Sequence, residues 1–474
     1  MKNYRILAIM VAAIAALFAF VGFQCSSAEL TSAKLYIQNS EWDKAEAQLQ
    51  KDVNDNPQDE EGWYWLGYVR GEKQDYSGML DAFHQALKIS DAHDKDINNV
   101  VLHYWVQFYN QGTKDLQAGK DTSGAYGKAV TAFNNAILLE PDSLMSYKGL
   151  AYAYLNMGNN DSAIGPLNLL WTKSKDEDAA KFLGEIYFEN GQKLKGDFQN
   201  DNSGKLDTLK NVNAIENGMS EEEVSATIGQ PDQKSTTQLG KSKGKAKTGN
   251  QDLTSDVWTY KIYGLTLTFQ SDRLKDKKVD FVYNPQVDSS HYQAAMVQFD
   301  SALGVLIPAS KVYQDDASLT TVLTNTYIAA GKEQEASEAF KAAAEKNPNN
   351  KDYQYDYGVI LLKQNNFHRA IEQFQKTLAL DSLYWNAVYN LGATYVNWGV
   401  QMQSSAPQNS DPDSLHKVVS AKFVQAVPYL KKYSTYKNDD PNLWELLAKV
   451  NAFNGNTSEA QEDIQKADSL RQTH

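Results

Sequence analysis

Apolar residues return along this chain in long, regular steps. Ala33, Tyr36, Ala45 and Leu49 are followed by Trp63, Leu66, Gly67, Phe83 and Ala86, and later by Tyr147, Leu150, Ala151, Tyr154, Ala163 and Leu167. The pattern resumes at Leu323, Tyr327, Ala336, Phe340 and Ala343 and continues at Tyr357, Gly358, Leu361, Ala370 and Phe374. It ends at Trp444, Leu447, Ala448, Ala460, Ile464 and Ala467. Within each copy the spacing is that of two helices, each with one apolar stripe. Asn56-Pro57, Asn347-Pro348 and Asp440-Pro441 separate copies, because the residue before a proline is driven out of the helical region. Turn residues such as Asn159-Asn160-Asp161 and Gly331-Lys332-Glu333 separate the paired helices.

The step is about 34 residues, and small residues (Ala33, Gly67, Ala151, Gly358, Gly392) fall where two helices approach while large ones (Tyr36, Phe83, Phe340, Phe374) fill the groove opposite. This pattern resembles the tetratricopeptide repeat (TPR) family over most of the chain. The resemblance implies a mainly α fold, an α-solenoid of about nine TPR helical hairpins that binds proteins without catalysis. Three hairpins have stretched links. One runs from about Leu116 to Tyr126 and one from Ser404 to Ser414. The longest separates a helix near Ala179–Lys195 from its mate at His291–Leu306.

That longest link does not follow the repeat. Ser220 with Glu223 three residues on forms a capping box, and Val224 and Ile228 give the helix an apolar side. Trp258, Tyr260 and Ile262, then Leu265, Leu267 and Phe269, alternate with polar residues, which predicts two strands about Gly264; Val279, Phe281 and Tyr283 suggest a third. The order Gly218 to Asp232, then Trp258 to Leu274, is similar to the SmpA/OmlA (BamE-like) family. That resemblance implies a small α+β domain, short helices packed on a three-stranded antiparallel sheet, acting as a contact module. The expected organisation is therefore 1–28 leader or anchor, 29–197 N-terminal TPR array, 198–288 inserted domain and 289–474 C-terminal TPR array.

Lys2 and Arg5 precede an apolar run from Ile6 to Phe23, the design of an export signal. Three fates stay open: acylation of Cys25, as in a bacterial lipoprotein; cleavage after Ala28; or a retained membrane anchor. Each places the remainder outside the cytoplasm, in a cell envelope, with the membrane engaged through the N-terminus in the first and third.

Cys25 is the one cysteine, so no intrachain disulfide is possible. A net charge of -13 argues against a nucleic-acid partner. Gly240-Lys241-Ser242 lacks the first glycine of a phosphate loop, since position 235 is Ser235, so Lys241, Lys243 and Lys245 form a basic tongue, either a solvated loop or a contact for anionic lipid or acidic protein. The histidines lack the helical spacing of metal ligands, and no cofactor or catalytic residue is expected. Aromatics crowd two helices: Trp105 and Tyr109 on one, Tyr389, Tyr395 and Trp398 on another. They either brace the stretched hairpins or anchor a peptide or partner subunit. Glycan binding by the same rings is the alternative, and a hydrolase or transferase site has no motif behind it.

Overall fold

The computed structural model describes residues 27–241, 252–407 and 410–472. They belong to two compact units, one up to Ala179 and the other from Ala180 onward. Cys25, Lys243, Lys245 and the apolar run to Phe23 lie outside the described residues.

The first unit contains helices α1 (Ala28–Gln38), α2 (Trp42–Asp55), α3 (Glu60–Glu72), α4 (Tyr76–Ile89), α5 (Asp94–Ala118), α6 (Ala125–Leu139), α7 (Leu144–Asn156) and α8 (Asn160–Ser174). They pair as successive hairpins. Short polar side chains start the helices, with Ser27, Asp59, Asp75, Ser143 and Asn159 each accepting a backbone N–H of the first turn. One core joins the first two hairpins through Leu30, Ala33, Leu49, Val53, Leu66, Val69 and Ala82.

Helix α9 (Glu177–Asp201) leads into the second unit. Its hairpin partner is α12 (Ser290–Val312). The remaining hairpins are α13 (Ala317–Ala329) with α14 (Glu333–Lys346), α15 (Lys351–Lys363) with α16 (Phe367–Leu380), α17 (Trp385–Ser404) with α18 (Pro412–Ser434), and α19 (Pro441–Phe453) with α20 (Thr457–Gln472). The described residues thus hold nine hairpins, the number expected from the repeat period.

Five of the nine hairpins close by fitting a phenylalanine ring against a glycine. A methyl group added at Gly67 would lie 2.4 Å from the Phe83 ring, at Gly112 2.9 Å from Phe133, at Gly191 2.5 Å from Phe299, at Gly358 2.7 Å from Phe374 and at Gly399 2.6 Å from Phe423. No carbon fits at such separations, so the first helix must lack a side chain there for the ring to seat. Phe83, Phe133, Phe299 and Phe374 are consequently among the largest fully buried side chains.

The interrupted hairpin obeys the same rule. Although 88 residues separate Asp201 from Ser290, Gly191 still receives Phe299, and Phe188 lies beside the same ring with centroids 6.1 Å apart. A neck keeps the two helices together. Buried Asn202 donates from Nδ2 to the carbonyls of Phe198 (2.9 Å) and Asp288 (3.0 Å) and accepts the Asp288 N–H at 3.0 Å. Lys205 Nζ donates to the Gln286 carbonyl at 2.5 Å, and the Asp201 carboxylate lies 2.9 Å from His291 Nδ1.

Between the two sides of the neck stand α10 (Ser203–Asn213), α11 (Glu221–Ile228) and strands β1 (Gln233–Lys241), β2 (Asp252–Tyr260), β3 (Leu265–Gln270) and β4 (Arg273–Val279). The capping box forms as expected: Ser220 Oγ accepts the Glu223 N–H and the Glu223 carboxylate accepts the Ser220 N–H. Trp258, Tyr260, Leu265, Leu267, Phe269 and Leu274 share one sheet face with Val212, Ile215 and Val224 of the helical side.

Three sequence expectations are corrected here. The sheet has four strands, all antiparallel in the order β1-β2-β3-β4, and not three. The extra strand, β1, comes from the polar stretch after Asp232; it joins by backbone pairing and needs no apolar face. Ile262 is not in a strand but in the β2–β3 turn, 70% exposed. The last strand begins at Arg273, ahead of Val279, because Ser271 and Asp272 (φ 52° and 61°) form a two-residue turn that pairs Gln270 with Arg273.

Gly358→Ala is expected to destabilise the second unit by about 1–3 kcal/mol through overpacking against Phe374. Gly304, inside α12 with open space around it, is the control: Gly304→Ala is expected to stabilise by about 1 kcal/mol through helix propensity. Denaturant unfolding of the two variants checks this, and effects of the same sign would contradict the close-approach account.

Candidate functional site

An aromatic and polar patch gathers residues of α15, α17 and α18, with Tyr436 just beyond α18, in the second unit. Repeat spacing puts Asp352, Tyr355 and Asp356 on α15 and Tyr384, Trp385, Tyr389 and Asn390 at the start of α17. Tyr384 donates to Asp352 at 2.9 Å, and Asn390 Nδ2 donates to the Tyr355 hydroxyl at 3.0 Å. The Tyr355 and Tyr384 rings lie 4.9 Å apart. Lys351 donates to Asp381 at 2.6 Å. Farther along, Trp385 stacks on Tyr436 (4.7 Å, 6°), Tyr436 lies 6.0 Å from Tyr433, and Tyr433 lies 5.0 Å from Tyr389. Burial raises the hydroxyl pKa of both Tyr355 and Tyr384; nearby Asp356 adds to this for Tyr355 and Asp352 for Tyr384, so both hydroxyls stay protonated.

Asp356 is buried beneath this patch, 2% exposed, and its Oδ2 has no hydrogen-bond donor. Its pKa stands well above the ordinary carboxylate value, first because of burial and second because of the Asp352 carboxylate. The Thr324 hydroxyl acts in the opposite sense, but it donates its proton to the Thr320 carbonyl at 3.0 Å. Asn390 stands one repeat period after Asp356, so successive first helices place a polar side chain at one register.

The first unit carries a smaller counterpart. Trp105 and Tyr109 stack on α5 at 5.4 Å and 15°, and Trp105 Nε1 donates to Ser146 Oγ of α7 at 3.1 Å. Lys148 reaches Asp176 (2.9 Å) and Asp178 (3.0 Å), and Tyr152 donates to Asp178 at 2.9 Å. Burial and these two carboxylates act in opposite directions on Lys148, and its pKa is raised on balance.

The residues singled out in the sequence separate accordingly. Trp105 and Tyr109 come together, and Tyr389 joins the patch on α17. Tyr395 is buried against Tyr429, 6.2 Å between centroids, while Trp398 carries the Lys422 ammonium 3.5 Å from its ring centre and stacks on Phe367 at 6.2 Å. Lys241 closes β1, paired with Asp252. Tyr355, Tyr433 and Tyr436 belong to the patch without having been singled out. The first sits on a helix whose periodicity reads as core, Tyr433 sits on α18, and Tyr436 lies in the turn just after it. Among the described residues no three or more His, Cys, Asp or Glu side chains gather as a metal site, and no helix is long and apolar enough to cross a membrane.

Residues 323–384 match the tetratricopeptide repeat family. The match spans most of α13 through the residue before α17, and so includes Tyr355, Asp356 and Tyr384. Solved structures of MamA are also similar. One, at 18% identity, covers 40% of this chain and 98% of its own with a TM-score of 0.29; a second, at 19% identity, covers 38% and 87% at the same score. At that score the likeness carries no argument about partners. No curated protein matches the chain.

The buried acid gives a pH prediction. The folded pKa of Asp356 is raised, so its contribution to stability is full below the ordinary carboxylate range and is lost as pH rises through the folded value. Relative to the parent chain, Asp356→Asn should therefore gain stability as pH rises from about 4 to about 8. Denaturant midpoints across that range check this, and parallel profiles would remove Asp356 as the titrating group.

Proposed function

We propose that this chain is a non-catalytic protein-interaction scaffold of the bacterial cell envelope, whose first-helix faces bind an extended segment of a partner. The observation that carries the reading is the patch of Tyr355, Tyr384, Trp385, Tyr389, Tyr433 and Tyr436, in which Asp352 and Asn390 already hold two of the rings in place. Large aromatics dominate binding energy at protein interfaces, and rings fixed beforehand lose little entropy on binding. Tyr436 is 52% exposed, so the patch remains open to a partner. The match to tetratricopeptide repeats over residues 323–384 supports a binding role for the same segment.

The envelope location rests on Lys2, Arg5 and the apolar run from Ile6 to Phe23, with attachment to the membrane by acylated Cys25 or by the run itself. The inserted domain, whose sequence order from Gly218 to Asp232 and Trp258 to Leu274 resembles SmpA/OmlA proteins, serves in this reading as a second contact module, which suits a role in outer-membrane or envelope assembly. Trp398, the ring best suited to stack on a sugar, is occupied by Lys422 and Phe367, which favours a protein over a glycan partner.

A photo-reactive phenylalanine analogue at position 389 in cells is the test. It should give discrete protein adducts that are absent when the analogue stands at exposed Lys341. Tyr433→Ala should weaken capture of the same partner, by about 2 kcal/mol if it is a hot spot. Adducts only to polysaccharide, or equal adducts from both positions, would defeat the proposal.

A further inference from the structure

The hairpin of α13 and α14 lacks the glycine that seats a phenylalanine ring in five of the other hairpins. One repeat period before Gly358 stands Thr324, buried at 2% exposure, where the neighbouring hairpin has its notch. The facing ring is Phe340, one period before Phe374. A β-branched side chain occupies the space the ring would need, so α14 cannot close onto α13 as α16 closes onto α15. Small residues leave that space unfilled. Ala339 and Ala343 stand where the next hairpin has Gln373 and Thr377, both buried.

A cavity of about 400 Å³, a volume within the range of small-molecule sites, lies among α12, α13 and α14 and reaches Tyr353 of α15. Ile307, Leu323, Tyr327, Phe340 and Ala343 give it an apolar body. Its lining also includes two lysines, Lys311 from α12 and Lys346 from α14, both exposed. Neither has a carboxylate partner among the described residues. In a chain of net charge -13, two unpaired ammonium groups at the edge of an apolar cavity favour one type of occupant: an apolar tail with an anionic head.

We infer that this cavity binds a single acyl chain ending in a carboxylate, with the chain between α12, α13 and α14 and the head between Lys311 and Lys346. The apolar tail removes its surface from water, and the ammonium groups fix its direction. The site is separate from the aromatic patch, so it stands or falls independently of the partner-binding reading.

Dodecanoate binding to the purified mature chain, followed by calorimetry, is the test. The expected result is saturable one-to-one binding, with dodecanol weaker by about tenfold for want of the charged head. Lys311→Gln with Lys346→Gln should weaken dodecanoate by about tenfold and leave dodecanol unchanged. Ala343→Phe should abolish both by filling the cavity. The surface lysine variants keep the test decisive if that core variant folds poorly. Dodecyl phosphate binding more tightly than dodecanoate would overturn the carboxylate assignment. Absence of saturable binding, or dodecanoate affinity unchanged in the double lysine variant, would overturn the site.

Discussion

The phenylalanine ring set against a bare helix backbone is the contact on which the rest of the structure depends. A short helix has little stability of its own in water, and it persists because its apolar face is buried against a neighbour. In five of these hairpins the first helix offers a glycine and the second a ring, so the axes come closer than two ordinary side chains would allow. Each closed hairpin then presents a flat flank of small and medium residues to the next, as Ala33, Leu49 and Leu66 do in the first two. The repeat is stable because one steric solution is used again and again, with neighbouring units supplying the remaining burial.

That same contact explains how an insertion can sit inside a repeat. Gly191 and Phe299 meet although the chain between them leaves to form four strands and two helices, because the pairing needs only that the two helix ends be returned to the same place. The Asn202 side chain does this with two hydrogen bonds to the Asp288 backbone, on a residue buried well enough that leaving them unmade would be costly. The inserted domain has its own core around Trp258 and Phe269 and therefore makes no demand on the packing of the hairpin that carries it.

The parts of this fold that were legible in the sequence are those set by side-chain packing. The period, the hairpin count and the interrupted fifth unit all follow from where small and large apolar residues recur. The capping box at Ser220 was legible because it depends on two side chains three residues apart. What was hidden depends on backbone geometry or on a partner from another element. Strand β1 has no apolar face and is held by the backbone of β2. The start of β4 is fixed by positive φ at Ser271 and Asp272, residues that could equally have stood in a longer loop. Crowding on α17 pointed to Tyr389, Tyr395 and Trp398 alike, yet the helix turns Tyr395 and Trp398 toward Tyr429, Phe367 and Lys422 and leaves Tyr389 to meet Tyr433 from α18. Periodicity gives the stripe that is buried; it does not say which second helix borders the rest.

Once the ring-and-glycine contact is seen as the constraint, its exceptions become informative. Thr324 is large enough to keep Phe340 from seating, and its hydroxyl must find an acceptor inside the protein, which it does at Thr320. Having spent its proton there, it has none for Asp356 on the next first helix, whose carboxyl is left buried with one oxygen unserved. Thr324 thus stands near two features of this part of the fold: an apolar space lined by α12, α13, α14 and Tyr353, and the buried Asp356 with its raised pKa on α15. The other hairpins carry glycine or alanine at this register, as at Gly358 and Ala33. The departure lowers packing and leaves an acid unpaired, and such local losses accumulate where a surface or cavity has work beyond holding the fold together.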